Sequence, residues 1–291
     1  RSLSLVFLYR AIDLEKNISN RIEKLDLPGV REIIAVASGK GGVGKSTIAA
    51  NIALALASKG LNVGLLDADI YGPSQSHIMG VKDMKPELSD NCLMPIVAHD
   101  VKCMSMGFVM SPNTPAIWRG PMASGALQRL LSDTKWGNLD ILLVDLPPGT
   151  GDIQLTISQR VPLCGAIIVT TPQDIALLDA RKAIEMFTKV GVPALGIVEN
   201  MSSHVCSHCG HEEAVFGSNG GERIALEYGT KLLAQLPLSL SIRKQSDEGV
   251  PIVLSDPESP ASQAIYLASE ELIRDLSALV SSGPEIDIID D

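Results

Sequence analysis

The sequence is poor in aromatic residues and in positive charge, and it lacks any long apolar run. Phe, Tyr and Trp make up 3% of the 291 residues, and the net charge is −10. An acidic surface repels phosphate backbones, and few rings are available to stack on bases, so we expect no nucleic-acid partner. No apolar run approaches the ~18 residues that a membrane span requires, and the acidic balance disfavours anionic lipid surfaces, so we expect no membrane partner.

Cysteine is also scarce. The five cysteines are an odd number, and Cys92, Cys103 and Cys164 are scattered singly, as small buried residues are. The other two, Cys206 and Cys209, form a CxxC motif. A disulfide framework is therefore not expected, and the composition predicts a protein of the reducing cytoplasm.

Short apolar runs alternate with segments that favour helix. The helical segments are Ser46–Ser58 and Asp174–Lys189, and the predicted strands are Ile33–Ala37, Val63–Leu66, Ile141–Val144, Ala166–Thr170 and Ala194–Val198. The runs do not alternate polar with apolar residues, which is typical of strands buried on both faces of a parallel sheet. We therefore predict an α/β fold with a doubly wound, mostly parallel sheet and helices on both faces, whose ligands bind at the carboxyl ends of the strands.

A glycine-rich loop follows the first predicted strand. Ser38–Thr47 reads SGKGGVGKST and contains the GxxxxGK[ST] pattern between a strand and a helix. Glycines let successive backbone N–H groups face phosphates, and the helix N-terminus adds positive charge. Lys45 should reach the β- and γ-phosphates, Ser46 should bind Mg²⁺, and Thr47 could donate to the α-phosphate. The predicted nucleotide-binding residues of the loop are Gly39, Lys40, Gly41, Gly42, Val43, Gly44, Lys45, Ser46 and Thr47.

Lys40 lies too early in the loop to serve as the usual phosphate lysine. This arrangement resembles the deviant Walker A group of P-loop ATPases, which includes division-site, plasmid-partition, nitrogenase-reductase and cluster-carrier proteins. The resemblance implies that Lys40 reaches across a face-to-face dimer to the partner's nucleotide and stabilises the transition state as an arginine finger does. Considered without the resemblance, Lys40 is a solvated loop lysine.

Acidic side chains follow two of the predicted strands. Asp67 and Asp69 come directly after Val63–Leu66. By resemblance, Asp69 positions the attacking water and Asp67 supports the Mg²⁺ shell; the alternative is a turn or cap aspartate. Asp145 ends the strand Ile141–Val144, the Walker B arrangement for Mg²⁺.

Two further segments complete the predicted nucleotide site. Gly149 and Gly151 lie in Asp145–Asp152 (DLPPGTGD) and suit a switch loop that moves with the γ-phosphate. Asn200 follows the strand Ala194–Val198, where the deviant group carries an asparagine that reads adenine; a turn or capping asparagine is the alternative.

The CxxC pair can bind metal only with additional ligands. Two thiolates leave a tetrahedral zinc or an iron–sulfur cluster two ligands short. His204, His208 and His211 could complete a zinc site within one chain, whereas a symmetric dimer would bring four thiolates together. A redox dithiol and an inert pair are the other interpretations of a lone CxxC.

From about Gly29 to Val280 the chain resembles the Mrp/ApbC family of iron–sulfur cluster carrier ATPases. The stretches that carry the resemblance are SGKGGVGKST, LLDADIYGPS (65–74), WRGPM (118–122), DLPPGTGD, TTPQDIALLDA (170–180) and GIVENMSSHVCSHCG (196–210). The resemblance implies a homodimer that binds ATP and Mg²⁺ and holds a [4Fe–4S] cluster between Cys206 and Cys209 of each subunit. It also implies two classes of partner, apo iron–sulfur clients and the cluster assembly machinery.

These inferences predict an ATP-dependent cluster carrier. The expected organisation is an N-terminal extension over 1–30 whose true start is missing, an ATPase domain over 31–282 and an acidic tail over 283–291. The main alternative is a positioning or partition ATPase with a structural zinc at the CxxC. Such a protein needs a basic DNA-facing patch or a membrane helix, which the charge of −10 and the acidic tail disfavour. A nitrogenase-reductase-like electron donor is less consistent with the CxxC motif, because the cluster cysteines of such a protein come from separate segments.

Overall fold

The computed structural model describes residues 24–109, 120–206 and 208–281. The predicted N-terminal extension as far as residue 23 and the predicted acidic tail lie outside the described residues. So do Trp118 and Arg119 of the WRGPM stretch. None of the helices in the described part of the chain is long and apolar enough to cross a membrane.

The predicted strands are all present. In the described part of the chain they are β1 (Val30–Ala37), β2 (Val63–Asp67), β3 (Leu88–Ser89), β4 (Cys92–Leu93), β5 (Ile96–Ala98), β6 (Val101–Ser105), β7 (Leu139–Asp145), β8 (Gly165–Thr170), β9 (Ala194–Val205), β10 (Glu212–Glu213) and β11 (Leu232–Leu238). The helices there are α1 (Lys45–Ser58), α2 (Gln75–Ile78), α3 (Met106–Val109), α4 (Gly120–Ser132), α5 (Asp152–Arg160), α6 (Asp174–Lys189), α7 (Gly220–Glu227), α8 (Leu240–Glu248), α9 (Ile252–Ser255) and α10 (Pro260–Ser281).

Nine strands form one sheet in the order β10-β9-β8-β1-β7-β2-β6-β5, with β11 on β9, and β3 and β4 form a separate hairpin. The pairs β1–β7, β1–β8, β2–β6, β2–β7, β8–β9 and β9–β11 are parallel. Among the described strands of this sheet, only β5 and β10 run antiparallel to their neighbours. Parallel neighbours require crossover connections, which the helices supply. The predicted doubly wound, mostly parallel α/β fold is confirmed.

The core lies on both faces of the central strands. Every residue of β2 and β8 is buried, and so are the last five residues of β1. Since successive side chains of a strand point to opposite faces, unbroken burial means that both faces are covered. Leu27 is buried in this same core, and Leu25 packs against it. Both residues precede residue 31, the predicted start of the ATPase domain.

Register brings the carboxyl ends of the central strands together. Asp67, the last residue of β2, is paired with Asp145, the last residue of β7, and Asp145 also pairs with Val36 of β1. The glycine-rich loop therefore begins beside both aspartates. The helix after the loop begins at Lys45, one residue earlier than predicted, and ends before Lys59-Gly60, where Gly60 adopts φ 83°.

The strand β9 extends beyond its neighbours. It was predicted to end at Val198 but continues to Val205, and its last two residues pair with β10. Met201 interrupts it with a φ of 57°. The sheet ends in short or interrupted strands: β5 has three residues, β10 has two, and β11 contains Pro237.

Candidate nucleotide and thiol sites

The glycine-rich loop packs closely against the rest of the protein. A Cβ atom on Gly39 would lie 2.1 Å from the backbone of Asp179, and one on Gly44 would lie 2.3 Å from Asn200 Nδ2. Gly44 also has a φ of 84°, which glycine adopts without strain. The loop therefore needs glycine at both positions for close approach as well as for its curvature.

Residues 40–47 of the loop line a cavity of about 290 Å³ together with Ser38, Asp69, Ser74, Ile78 and Pro148. The first turn of α1 opens into this cavity, so backbone N–H groups and the helix N-terminus provide an anion site. The structure thus brings the predicted phosphate residues together at the carboxyl edge of the sheet.

Lys45 is buried against Asp145. Its Nζ contacts Asp145 Oδ1 and lies 3.4 Å from Ser46 Oγ, with the lysine 6% exposed and the aspartate fully buried. Asp145 thus compensates the buried lysine charge. A triphosphate would compete with Asp145 for Lys45, because both are anions that need the same buried cation.

Asp67 is the second buried carboxylate of the site. Its Oδ2 accepts hydrogen bonds from Ser74 N at 2.8 Å, Gln75 N at 2.9 Å and Ser105 Oγ at 3.0 Å. Burial and the neighbouring charge of Asp145 raise the pKa of Asp67 to about 7, although the hydrogen bonds from Gln75 N and Ser105 Oγ and the charge of Lys45 act in the opposite direction. Two buried carboxylates share one lysine, so a further cation would stabilise both in their charged form, and carboxylate and hydroxyl oxygens are the ligands that Mg²⁺ prefers. The residues fit the predicted Mg²⁺ site.

Asp69 lies at the boundary of two cavities. It lines the loop cavity and also a second one of about 580 Å³, formed with residues of the predicted switch loop and of α5. Its Oδ1 accepts from the backbone N–H groups of Tyr71 and Gly72, each at 3.2 Å. The turn-capping role considered from the sequence is therefore present, and the half-buried side chain also borders the cavity lined by the phosphate loop.

Lys40 and Asn200 make contacts within the chain. Lys40 Nζ donates to Gln173 Oε1 over a long 3.4 Å, and the lysine is half-buried at the cavity. Asn200 is buried, and its Nδ2 donates to Val43 O at 2.8 Å, from beneath the loop. A role for Asn200 in reading adenine and a role for Lys40 across a dimer both stay predictions.

The predicted switch loop is tied to the phosphate loop by one backbone bond. Gly149 donates its N–H to Ser38 O at 2.9 Å and adopts a φ of 96°. Gln154, at the start of α5, holds Pro147 O through its side-chain amide. The loop therefore borders the nucleotide cavity with few anchors, as a segment that rearranges with nucleotide state requires.

The CxxC motif lies at the tip of a β-hairpin. β9 and β10 form its two sides, Cys206 N donates to His211 O at 2.9 Å, and Gly210 N donates to Cys206 O at 2.9 Å. Gly210 adopts a φ of 72°, which closes the tight turn. Cys206 is half-buried and Cys209 is exposed. Both thiols are thus presented at the surface, away from the core.

The turn prepares Cys206 to act as a thiolate. Hydrogen bonds from the backbone N–H groups of Cys209 and His208, together with the Cys209 side chain, lower the pKa of the Cys206 thiol. By contrast, burial raises the pKa values of Cys103 and Cys164 to about 12. Since the thiolate is the metal ligand, the hairpin is the chemically suited cysteine site among the described residues.

No third metal ligand joins the two thiols within the described residues. No group of three or more His, Cys, Asp or Glu side chains in that part of the chain could hold a metal ion. His204, His208 and His211 are exposed, and His204 Nδ1 lies 3.3 Å from Leu238 O. The single-chain zinc site considered from the sequence therefore does not form in the described part of this chain.

Two buried polar residues, Gln75 in the nucleotide site and Glu199 next to Asn200, were not identified from the sequence. Gln75 contacts Asp145 and the backbone of Ser46, and Glu199 accepts from Gly221 N at 2.6 Å and Gln235 Nε2 at 2.8 Å. Glu199 immediately precedes Asn200 on β9. The sequence signal that could have identified it is a carboxylate directly after an apolar run. For Gln75 the only signal was its place soon after the paired aspartates.

Comparison with known proteins identifies relatives along most of the chain. A family model described as "ParA: NUBPL iron-transfer P-loop NTPase" matches residues 29–273. An iron-sulfur cluster carrier protein from Pseudomonas fragi is 58% identical over 236 residues, which cover 80% of this chain and 82% of that protein. A protein of the same name from Escherichia coli K12 is 53% identical over 263 residues, covering 88% and 71%.

A solved structure shares the architecture. The nucleotide-binding protein of Archaeoglobus fulgidus, solved in complex with ADP, superposes with a TM-score of 0.70 at 36% identity over 84% of this chain and 94% of that one. Together with the sequence relatives, this match confirms the resemblance inferred from the motifs.

Proposed function

Because the chain belongs to the family of ParA-type, NUBPL-like iron-transfer P-loop NTPases, and is therefore an ATP hydrolase, we propose that it carries iron–sulfur clusters between proteins. The finer proposal is that two copies hold one labile [4Fe–4S] cluster between their CxxC hairpins and pass it to apoproteins. The observation that carries it is the pair of surface thiols at the hairpin tip, with no third ligand among the described residues.

The thiol chemistry favours a cluster as cargo. Four thiolates suit an iron–sulfur cluster, and a two-fold dimer provides them from two copies of one motif. The surface position of Cys209 leaves the bound cluster accessible, as transfer to another protein requires. Clients that lack their cluster and the machinery that assembles clusters are the partners this chemistry implies.

The nucleotide site provides the energy source. Ser46 and Asp145 would hold Mg²⁺, with Asp67 supporting them, and the ion would neutralise charge on the phosphates. Lys45 binds the β- and γ-phosphates after leaving Asp145, Asp69 orients the attacking water, and Lys40 acts on the nucleotide of the partner subunit. Asn200, which is tied to the loop, contributes to recognition of adenine. Since Asn200 and Cys206 lie on or beside the same strand, nucleotide state and cluster exposure are coupled through β9.

Reconstitution tests the carrier proposal. Anaerobic incubation with iron and sulfide should load one four-iron cluster per pair of chains, or about two iron atoms per chain. Absorbance, metal analysis and the mass of the loaded species measure this stoichiometry. The loaded protein should then activate an apo iron–sulfur enzyme. A native protein that contains zinc and accepts no cluster under these conditions would make the CxxC structural and the carrier proposal wrong.

Asp69→Asn tests the hydrolytic role of Asp69 separately from its role in the turn. The asparagine Oδ1 can still accept from Tyr71 and Gly72, so the turn is retained while the negative charge is removed. We expect unchanged Mg²⁺–ATP binding and turnover reduced at least ~100-fold, in line with general-base contributions. Single-turnover hydrolysis and calorimetric affinity measure the two effects. Wild-type turnover would leave Asp69 with a turn-capping role alone.

A further inference from the structure

Gln75 is a buried glutamine beside the nucleotide site, at the first residue of α2. It is 1% exposed, and α2 has only four residues. Two backbone hydrogen bonds to Asp67 hold the start of this short helix in place, from Ser74 N and from Gln75 N itself. The backbone of Gln75 is therefore fixed to one of the two buried carboxylates of the site.

The side chain of Gln75 reaches the other carboxylate. Its Nε2 donates to Asp145 Oδ2 at 2.8 Å and to Ser46 O at 2.9 Å. Lys45 occupies the other oxygen of Asp145. A single amide nitrogen thus joins the end of β7 to the first turn of α1, between the two residues proposed to hold Mg²⁺.

A bound nucleotide would affect the two contacts to Asp145, from Lys45 and from Gln75, in different ways. Lys45 must leave Asp145 to meet the phosphates, because one buried ammonium group cannot fully compensate both anions. The Gln75 amide has no such competing role, since both of its acceptors belong to the protein. It can continue to hold Asp145 Oδ2 after Lys45 has moved.

The other end of the Gln75 amide argues for a functional role. Gln75 Oε1 is buried and has no hydrogen-bond partner among the described residues. An unsatisfied buried oxygen destabilises the folded state, so some other contact of the side chain must compensate for it. The two hydrogen bonds from Nε2, one of them to a buried carboxylate proposed to hold Mg²⁺, therefore account for glutamine at this position.

We propose that Gln75 is a positioning residue that fixes the Asp145 carboxylate relative to Ser46 and so sets the affinity of the site for Mg²⁺. This inference rests on the Mg²⁺ site of the proposed function and is independent of cluster transfer. Groups that orient a metal-binding side chain typically contribute 10- to 100-fold to metal affinity.

Gln75→Met tests this role, because methionine keeps the length and approximate volume of the side chain and removes only the amide. The affinity of a non-hydrolysable ATP analogue is measured by calorimetry with Mg²⁺ and with EDTA. We expect the enhancement by Mg²⁺ to fall at least ~10-fold, with the affinity in EDTA unchanged. The thermal midpoint is followed in parallel and should fall, because Asp145 Oδ2 and Ser46 O lose their donor and the removal of one unsatisfied oxygen offsets this only in part.

Gln154→Met is the matched control. Gln154 is also 1% exposed and also has an unpartnered Oε1, but its amide donates to Pro147 O and not to Asp145. Because this contact anchors the predicted switch loop and not Asp145, any effect should change the affinities with Mg²⁺ and with EDTA alike, and we expect their ratio, the enhancement by Mg²⁺, to stay within about twofold of wild type. An unchanged enhancement in Gln75→Met, or an equal loss in both variants, would overturn the positioning role. Wild-type binding that does not depend on Mg²⁺ would instead refute the proposed Mg²⁺ site.

Discussion

Replacing Cys206 and Cys209 with serine should abolish cluster binding and transfer without affecting ATP binding. Serine oxygen is a poor ligand for iron in a site built for soft thiolates, and the serine variant also loses the thiolate that backbone N–H groups stabilise at residue 206. In a symmetric dimer each single substitution removes two of the four ligands, so Cys206→Ser and Cys209→Ser should each be as defective as the double variant.

Loading and transfer are measured separately for these variants. Iron content after anaerobic reconstitution reports binding, and activation of an apo iron–sulfur enzyme reports transfer. Cys92→Ser is a matched control, because Cys92 is a partly exposed cysteine outside the β9–β10 hairpin. It should load and transfer as the wild type does. Activation of the client by the double serine variant at the wild-type rate would refute the carrier proposal.

Lys45→Ala should remove most of the affinity for ATP. Lys45 is the buried cation of the loop, and truncating one member of a buried charge pair costs about 2–5 kcal/mol, roughly 30-fold to several thousand-fold in affinity. Calorimetry with a non-hydrolysable analogue measures the loss. The substitution also leaves Asp145 buried without its cation, so thermal unfolding is followed in parallel to confirm that the variant is folded.

Lys40→Ala is the matched control for Lys45→Ala, since it removes the same charge from the same loop. Its Nζ makes a single long contact with Gln173 within the chain. We expect affinity for ATP to be largely retained and hydrolysis to be slowed, because the proposed role of Lys40 is on the partner's nucleotide. Unchanged affinity in Lys45→Ala would contradict the phosphate assignment. Equal loss of affinity in both variants would place Lys40 in the site of its own subunit.

The sequence was sufficient to predict the central sheet and the phosphate loop. Asp174–Lys189 has the helical bounds that were predicted, because its apolar residues recur with helical spacing and its ends carry ordinary boundary signals. The strands of the sheet interior were recognised because burial on both faces leaves continuous apolar runs. In these segments local preference and tertiary environment agree, so pattern and structure coincide.

The extension of β9 could not be predicted in the same way. Residues 199–205 are mainly polar, and the last of them are exposed, so no apolar run marks them as strand. Pairing with β10 and β11 determines their conformation, and pairing partners distant in sequence are not evident from local composition. The sequence therefore located the CxxC motif but not the hairpin that presents it.

The contacts of individual side chains could not be predicted from the sequence either. The sequence placed Asn200 after a strand but did not reveal that its amide lies against Val43 O. It also gave Gln75 no special status, because a glutamine in a short polar segment has no distinctive pattern. Both residues make these contacts with neighbours that only the folded chain brings close, across separations of 157 and 70 positions.

The ends of the sheet determine what kind of assembly the protein can form. Long free strand edges are templates for open-ended addition of further chains, which leads to aggregation. Here one end of the sheet is β5, which has three residues. At the other end β9 is paired with β10, which has two residues, and with β11, which contains proline. Proline cannot donate a backbone hydrogen bond, so it blocks continuation of the ladder. If two chains meet through their hairpins, as proposed above, these sheet ends would favour a closed pair over the open-ended addition of further chains.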